Sequence, residues 1–427
     1  MQQCKIKWKK KILGDLGYTY SGLSNKTIDD FGSGENFIPY LNIYKNPIIK
    51  TDEFEKVKIG LNERQNQVQK GDVFFTTSSE TPDEVGLTSV LVEKIDKPLY
   101  LNSFCFGYRL NNDKEFNNKF LAYLLRGEII RSQISKMAQG STRYNLSKTQ
   151  LLSKLNLYYP FDTKEQEKIA QILSTCDSVI EKTEETIEKY KQIKAGVMQD
   201  LFTRGLDEDG KLRPKYQNAP ELYKYSEELG RYIPKDWEVK TFKDICYVNQ
   251  GLQIAISSRH RRIAPNRYLY ITIQYLNTLK NPEYIEKPQS SVICSKEDIL
   301  MTRTGNTGFV VTGVEGVFHN NFFKINYNKE LLDKNYIIYF LKQEEIQKMI
   351  LDKAGLTTIP DLSHGDFYSL PILLLKKYEQ INISNILLDI DKKICLEDRF
   401  LKKYKQIKQG LMKKLLTPPA DAEIVEE

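Results

Sequence analysis

The sequence predicts an α+β protein: two homologous mixed α/β domains separated by two long helices that form an antiparallel coiled coil, with pseudo-two-fold symmetry. Three observations carry that expectation. The stretch from Glu165 to Thr203 returns without a gap 214 positions later, from Glu379 to Thr417, with 17 of 39 positions identical. Both copies place apolar residues at alternating steps of four and three, the mark of a helix that buries one seam against a partner. The regions ahead of the two copies also match each other, so the duplication takes in domain and helix together.

In the first helix the seam is Ile169, Leu173, Cys176, Ile180, Ile187 and Tyr190, with Thr183 as a polar step. In the second it is Ile383, Leu387, Ile390, Ile394, Leu401 and Tyr404, with Glu397 at the position of Thr183. Neither copy contains proline, and at the rise of an α-helix each could run ~60 Å. Such a rod can hold two domains apart; a helix packed on one globular core is the plainer alternative.

The domains repeat as well. The only two tryptophans, Trp8 and Trp237, fall in register, and the same offset pairs Asp15 with Asp244 and Gly22 with Gly251. Two β-like runs follow, Tyr40 to Ile43 and Tyr270 to Ile273, and then GDVFFTTSS from Gly71 and EDILMTRTGNTG from Glu297, each read as a strand entering a loop. AQGSTRYNLS from Ala138 answers AGLTTIPDLS from Ala354, and single helices are expected at Asn117 to Lys136 and at Asp333 to Lys353. The expected layout is a first domain over 1–162, a helix over 163–205, a linker and second domain over 206–376, a helix over 377–417 and a frayed acidic tail over 418–427. The charge- and turn-rich stretch Thr203 to Pro234 reads as the linker.

A chain of 427 residues with 40% hydrophobic and 11% aromatic content has material for two to four cores. Its net charge of +7 suits an anionic partner. Six scattered cysteines without a CxxC pair, and three distant histidines, point to reduced thiols and no metal site. The N-terminus lacks the apolar core of a signal peptide and no run reaches ~20 apolar residues, so a cytoplasmic protein without membrane contact is expected.

Phosphate-loop, methyltransferase, dinucleotide, zinc-protease and serine-hydrolase motifs are all missing. Glu238-Val239-Lys240 with Glu221 upstream is only a loose nuclease match. No catalytic residue is therefore assigned. Segments suited to nucleic acid stand out more. Arg259, Arg261, Arg262 and Arg267 crowd one loop, where arginines can meet phosphate or guanine. Thr76, Thr77 and Ser78, then Ser141, Thr142 and Arg143, offer donors in the first domain; Arg303, Thr304 and Asn306 sit in the matching loop of the second. Each set also has a plain reading: a solvated basic loop for the arginines, ordinary turn chemistry for the Ser and Thr clusters, and a strand-to-loop turn for the last, whose rival reading is a nucleotide site that cradles phosphate through backbone N–H groups and Arg303.

The TRGLDEDGKLR stretch from Thr203, IPKDWEVK from Ile233, DILMTRTGNTG from Asp298 and the EQ…YKQIKxGxM helices resemble the DNA-specificity subunits of type I restriction–modification systems. The resemblance covers essentially the whole chain. It implies two target-recognition domains on a coiled-coil spacer, each reading half of a bipartite asymmetric site in double-stranded DNA. It also implies a bacterial or archaeal cytoplasmic complex with modification subunits, two of them expected, and restriction subunits. Those partners would carry S-adenosylmethionine, ATP and Mg²⁺, and this chain no cofactor. TTSSE at Thr76 to Glu80 departs from the Arg- and Gly-bearing turn usual in the family. A self-contained nuclease carrying its own recognition domains is the alternative, and the missing motifs speak against it.

Overall fold

The computed structural model describes residues 7–286, 288–355 and 360–426. The chain divides into two compact units, Met1–Glu185 with Asp398–Glu427, and Thr186–Glu397. The division passes through both long helices, Thr163–Thr203 and Lys377–Leu415, so each unit holds one domain and one half of each helix.

The first unit is built on Val73–Thr76, whose four residues are all buried. It lies in an antiparallel sheet in the order Gly17–Ser21, Cys105–Leu110, Val73–Thr76, Thr88–Val90. Continuous burial explains the run Val-Phe-Phe-Thr: both faces of a central strand are covered, and Phe75 stacks on Phe106 at 5.1 Å. A second sheet sets Phe31–Ile38 between antiparallel Glu55–Val57 and parallel Leu99–Leu101. The second unit repeats both. Cys246–Gln250, Phe322–Tyr327, Ile299–Thr302 and Val310–Val311 form the first sheet, while Arg267–Ile271 stands between antiparallel Tyr284–Glu286 and parallel Gly316–Phe318 in the other.

In both units the two long helices pair antiparallel. In the first, Lys405 meets Glu184 at 2.7 Å and Lys408 meets Asp177. In the second, Lys194 meets Asp391 at 2.6 Å. Lys194 and Asp391 are the repeat equivalents of Lys408 and Asp177, so one ion pair is built twice with the roles of the helices exchanged. A tyrosine from the domain completes each, Tyr123 donating to Asp177 at 2.8 Å and Tyr339 to Asp391 at 2.6 Å. Burial, and then the neighbouring carboxylate, holds both phenols well above their ordinary range.

Of the seam residues, Leu173, Ile169, Ile187, Ile383 and Leu387 are buried. Cys176, Ile180, Tyr190, Ile390, Ile394, Leu401 and Tyr404 are half-buried. Leu173, Ile383 and Leu387 are fully covered where they join a domain core, while Ile187 is buried mid-helix without joining one. The Gln of each Glu-Gln start explains its recurrence. Gln166 accepts from Asn117 N at 2.9 Å and donates to Pro160 O at 3.0 Å; Gln380 accepts from Asp333 N at 2.9 Å and donates to Leu375 O at 2.8 Å. Each ties the first turn of a long helix to its domain.

Four expectations need correction. The single helices at Asn117 to Lys136 and Asp333 to Lys353 are broken pairs, Asn118–Leu124 with Glu128–Met137 and Lys334–Leu341 with Glu344–Ala354. The first member of each is apolar nearly all round and buried, so it must end where the chain turns back toward the surface. Tyr40 to Ile43 is not a strand but part of the helix Tyr40–Lys45, and Tyr270 to Ile273 straddles a strand end and the helix Ile273–Thr278, whose start Thr272 caps through Tyr275 N. The linker is ordered: it holds the hairpin Tyr223–Ser226 with Arg231–Pro234, and Leu229 and Ile233 join the second core. The acidic tail does not fray in this structure. Glu423–Glu426 lies parallel to Lys7–Ile12, with ion pairs Lys7–Glu423 at 3.3 Å and Lys10–Glu426 at 2.6 Å, so the basic N-terminus is its counter-charge.

Candidate nucleic-acid interface

In the first unit the strand Val73–Thr76 delivers Thr77 and Ser78 to the surface, and Ser78–Ser79 pairs antiparallel with Tyr144–Asn145. Two polar segments far apart in sequence thereby become one surface. Arg143 Nε donates to Ser78 Oγ at 3.0 Å, and Leu146 N donates to Thr77 O at 2.9 Å. Ser141, Thr142, Arg143 and Asn145 are exposed. Thr76 is not: it is fully buried, its hydroxyl accepts from Leu87 N at 3.0 Å, and its side chain serves the fold. Phe104, exposed beside this surface, takes the Thr77 N–H on its carbonyl at 3.1 Å; sequence reading passed over it because a lone aromatic in a turn carries no periodic signal.

The second unit brings the equivalent segments together. Thr304 bridges Asp361 in the antiparallel sense, and Arg303 pairs with Asp361 at 2.8 Å while donating to Leu362 O at 3.3 Å. Arg303 is therefore a latch between the two segments. Gly305 and Asn306 form the exposed tip, and the positive φ of Gly305 suits glycine there. Amides at 303, 308 and 309 donate to Asn321 O, Thr302 O and Asn306 O and so are already used within the loop. Part of the AGLTTIPDLS segment, 356–359, lies outside the described residues.

The arginine cluster separates into two kinds. Arg259 donates to Ile254 O at 2.8 Å, pairs with Glu283 at 2.9 Å and lies over Tyr270; Arg267 pairs with Glu286 at 2.7 Å. Both hold loops in place. Arg261 and Arg262 are exposed, and their side chains make no ion pair among the described residues. His319, near this cluster, is held below its ordinary pKa by burial and then by the Arg259 charge, and stays a neutral neighbour. Among the described residues no group of His, Cys, Asp or Glu is arranged to hold a metal, and no helix is long and apolar enough to cross a membrane. The loose nuclease match is a strand, Glu238–Thr241, with Glu238 pairing Lys240 at 3.2 Å.

Similar proteins share this plan. A family model for the type I restriction modification DNA specificity domain matches residues 5–192 and 234–409, once in each half. The MjaIX type I restriction enzyme specificity subunit of Methanocaldococcus jannaschii is 25% identical over 313 residues, 70% of this chain and 68% of its own. A second sequence from that organism, assigned as the MjaX specificity subunit, is 28% identical over 313 residues, 72% of this chain and 69% of its own. Among solved structures, the S subunit of a type I restriction–modification system from M. genitalium superposes with a TM-score of 0.55 at 17% identity, covering 97% of each chain. A chain from a structure addressing complex assembly and conformational transition of the type I R-M system gives 0.57 at 14% identity, covering 96% of this chain and 97% of that one. The likeness to these structures shows the fold. With the family model matched over both halves of the chain, this protein belongs to the type I restriction–modification DNA-specificity family and is a specificity subunit.

Proposed function

We propose that each domain reads one half of a bipartite, asymmetric DNA sequence and that the length of the paired helices sets the gap between the halves. The observation that carries this reading is the equivalence of the two loop surfaces. The framework of each domain is the same, while the side chains it presents differ: Thr77, Ser78 and Arg143 in one, Thr304, Asn306, Arg261 and Arg262 in the other. One scaffold with two sets of donors suits two different half-sites. Arg259, Arg267 and Arg303 act by holding the reading loops.

Modification subunits, two per chain, dock on the long helices in this reading. Ile172, Val179 and Ile193 on the first, and Ile386, Phe400 and Ile407 on the second, recur at heptad spacing yet stay exposed, which suits partner helices. S-adenosylmethionine, ATP and Mg²⁺ belong to the modification and restriction subunits, which supply methylation and cleavage.

The test is methylation mapping in a host carrying the intact system. Four residues inserted into each long helix add ~6 Å per helix and are expected to change the gap while leaving both half-sequences as they were. New bases in either half, or the old gap with both halves intact, would overturn the spacing role.

A further inference from the structure

The second domain carries a feature that its loop motifs do not account for. Leu279, at the end of the helix Ile273–Thr278, has φ 53° and ψ 24°, and its side chain is 70% exposed. A left-handed conformation is costly for a branched aliphatic residue, and exposing the side chain forgoes the burial that would offset it. Both costs fall on one residue. Asn281, two positions on, is also left-handed at φ 52°, so Lys280 is held outward between two fixed residues and Pro282. Backbone strain kept at a projecting side chain is the pattern of a residue placed for contact.

The surroundings say what it would contact. Lys280 and Asn281 line a hollow of about 340 Å³ with Ile256, itself 78% exposed, while Asn281 lines a neighbouring hollow with Arg261. The one carboxylate common to both hollows, Glu283, is already paired with Arg259. What remains free is cationic: the side chains of Arg261, Arg262 and Lys280 make no ion pair among the described residues. A protruding leucine next to unpaired Lys280, two residues from the Asn281 that shares a hollow with Arg261, fits a polyanion that also offers an apolar slot. A base step in duplex DNA is such a target, since stacked bases can part to admit an aliphatic side chain while flanking cations hold the phosphates.

We propose that Leu279 is a wedge that enters a base step within the second half-site, with Lys280 and Arg261 gripping the adjacent backbone. This rests on the reading of the second domain as the reader of that half-site. Specificity then comes partly from how readily the wedged step unstacks, which favours flexible pyrimidine–purine steps. Residues at 274–283 thus join the arginine loop as determinants of the second half-sequence.

The experiment uses the chain assembled with its modification subunits and a duplex bearing the mapped methylation site, with a fluorescent adenine analogue placed in turn along the second half. Leu279→Gly is the informative variant, because glycine takes the left-handed conformation without strain and folding is not compromised. The expected result is an unchanged or raised Tm, affinity lowered by about tenfold or more, loss of the analogue's unstacking signal at one step and a straighter duplex by end-to-end energy transfer. Lys280→Ala is expected to weaken binding to all sequences alike and to lower the salt slope by about one. A Leu279→Gly complex that unstacks and bends the duplex as the parent does would overturn the wedge. So would lowered affinity confined to a thymine with no unstacking signal in the parent, which would make Leu279 a methyl contact. If Arg261→Ala and Leu279→Gly both leave the second half-sequence and affinity untouched, the assignment of this half-site to the second domain fails instead.

Discussion

Trp8 and Trp237 occupy equivalent places in the two domains and both are buried, yet only one indole N–H has a partner among the described residues. Trp237 Nε1 donates to Glu379 at 3.2 Å. Glu379 also accepts from Leu206 N at 2.8 Å and pairs with Arg213 at 2.6 Å, all in the buried interior of the second unit. Gly205 makes this possible: with φ 65°, it sits where a Cβ would strike Trp237, Arg213 and Glu379 together. The repeat equivalent of Glu379 is Glu165, which stays half-exposed and among the described residues pairs only with Lys168 one turn on, at 2.7 Å. Trp8 is left with a buried N–H that nothing described accepts. The difference arises after the helices. The first long helix runs on into TRGLDEDGKLR, which folds back over Glu379; the second exits through Thr417-Pro418-Pro419, whose tail adds a strand beside Lys7–Ile12. The Glu of this shared Glu-Gln start is therefore a structural clasp in one unit and half-exposed in the other, whereas the Gln is buried and bonded to its domain in both.

The largest expected effect breaks that asymmetry directly. Glu379→Ala takes the acceptor from buried Leu206 N and the Trp237 indole and leaves Arg213 with Asp236 as its remaining carboxylate, and it is expected to cost about 3 kcal/mol or more, whereas Glu165→Ala should stay within about 0.5 kcal/mol. Equal losses in denaturant titrations of the full chain would show that the clasp contributes nothing special. Next come the seams. Leu173→Ala and Leu387→Ala, both fully buried, should each cost about 2–5 kcal/mol, and the half-buried Ile180→Ala and Ile390→Ala clearly less. A uniform cost along the seam would mean that the helices, and not the domains over their ends, dominate the packing.

A smaller effect tests the twinned tyrosines. Folding holds Tyr123 and Tyr339 protonated at pH values where an unfolded tyrosine ionises. Above about pH 10 the unfolded chain loses protons that the folded chain keeps, so stability falls as pH rises. Tyr123→Phe and Tyr339→Phe should each flatten that decline, by similar amounts if the two Lys–Asp–Tyr sets are equivalent. No change in the alkaline slope for either variant would sink the claim.

The two long helices, their antiparallel pairing and the doubling of the domains were legible because a seam repeated over 39 residues and copied once leaves little room for another fold. The loop pairs at Ser78 with Asn145 and at Thr304 with Asp361 were legible as candidates only through their matching order in the two halves. What was hidden followed from tertiary context. FLAYLL and YIIYFL looked like parts of longer helices because a fully buried short helix has no amphipathic boundary to mark its end. The acidic tail looked free because its partner strand lies more than 400 residues away. Arg259, Arg267 and Arg303 read as free cations because nothing local announces that Glu283, Glu286 and Asp361 will reach them. Leu279 gave no signal at all, since a left-handed leucine is a property of the folded loop.

The finest test of the asymmetry exchanges each tryptophan for phenylalanine. In the second unit, Trp237→Phe removes ring volume and takes one of the donors from Glu379, so it should cost at least the about 1–3 kcal/mol of a buried acceptor left short. In the first unit, Trp8→Phe removes the same ring volume but also deletes an N–H that is buried without a partner. Relieving an unmet buried donor offsets much of the lost packing, because such a group carries its full desolvation penalty in the folded state. The two substitutions are chemically identical, so the difference between their effects isolates the indole hydrogen bond from the cavity. Trp8→Phe is expected to be the milder by about 1–2 kcal/mol in denaturant titrations followed by far-ultraviolet circular dichroism. If Trp8→Phe proved as costly as Trp237→Phe, the N–H of Trp8 would have to be satisfied in solution, and the two units would be more alike around their tryptophans than their surroundings indicate.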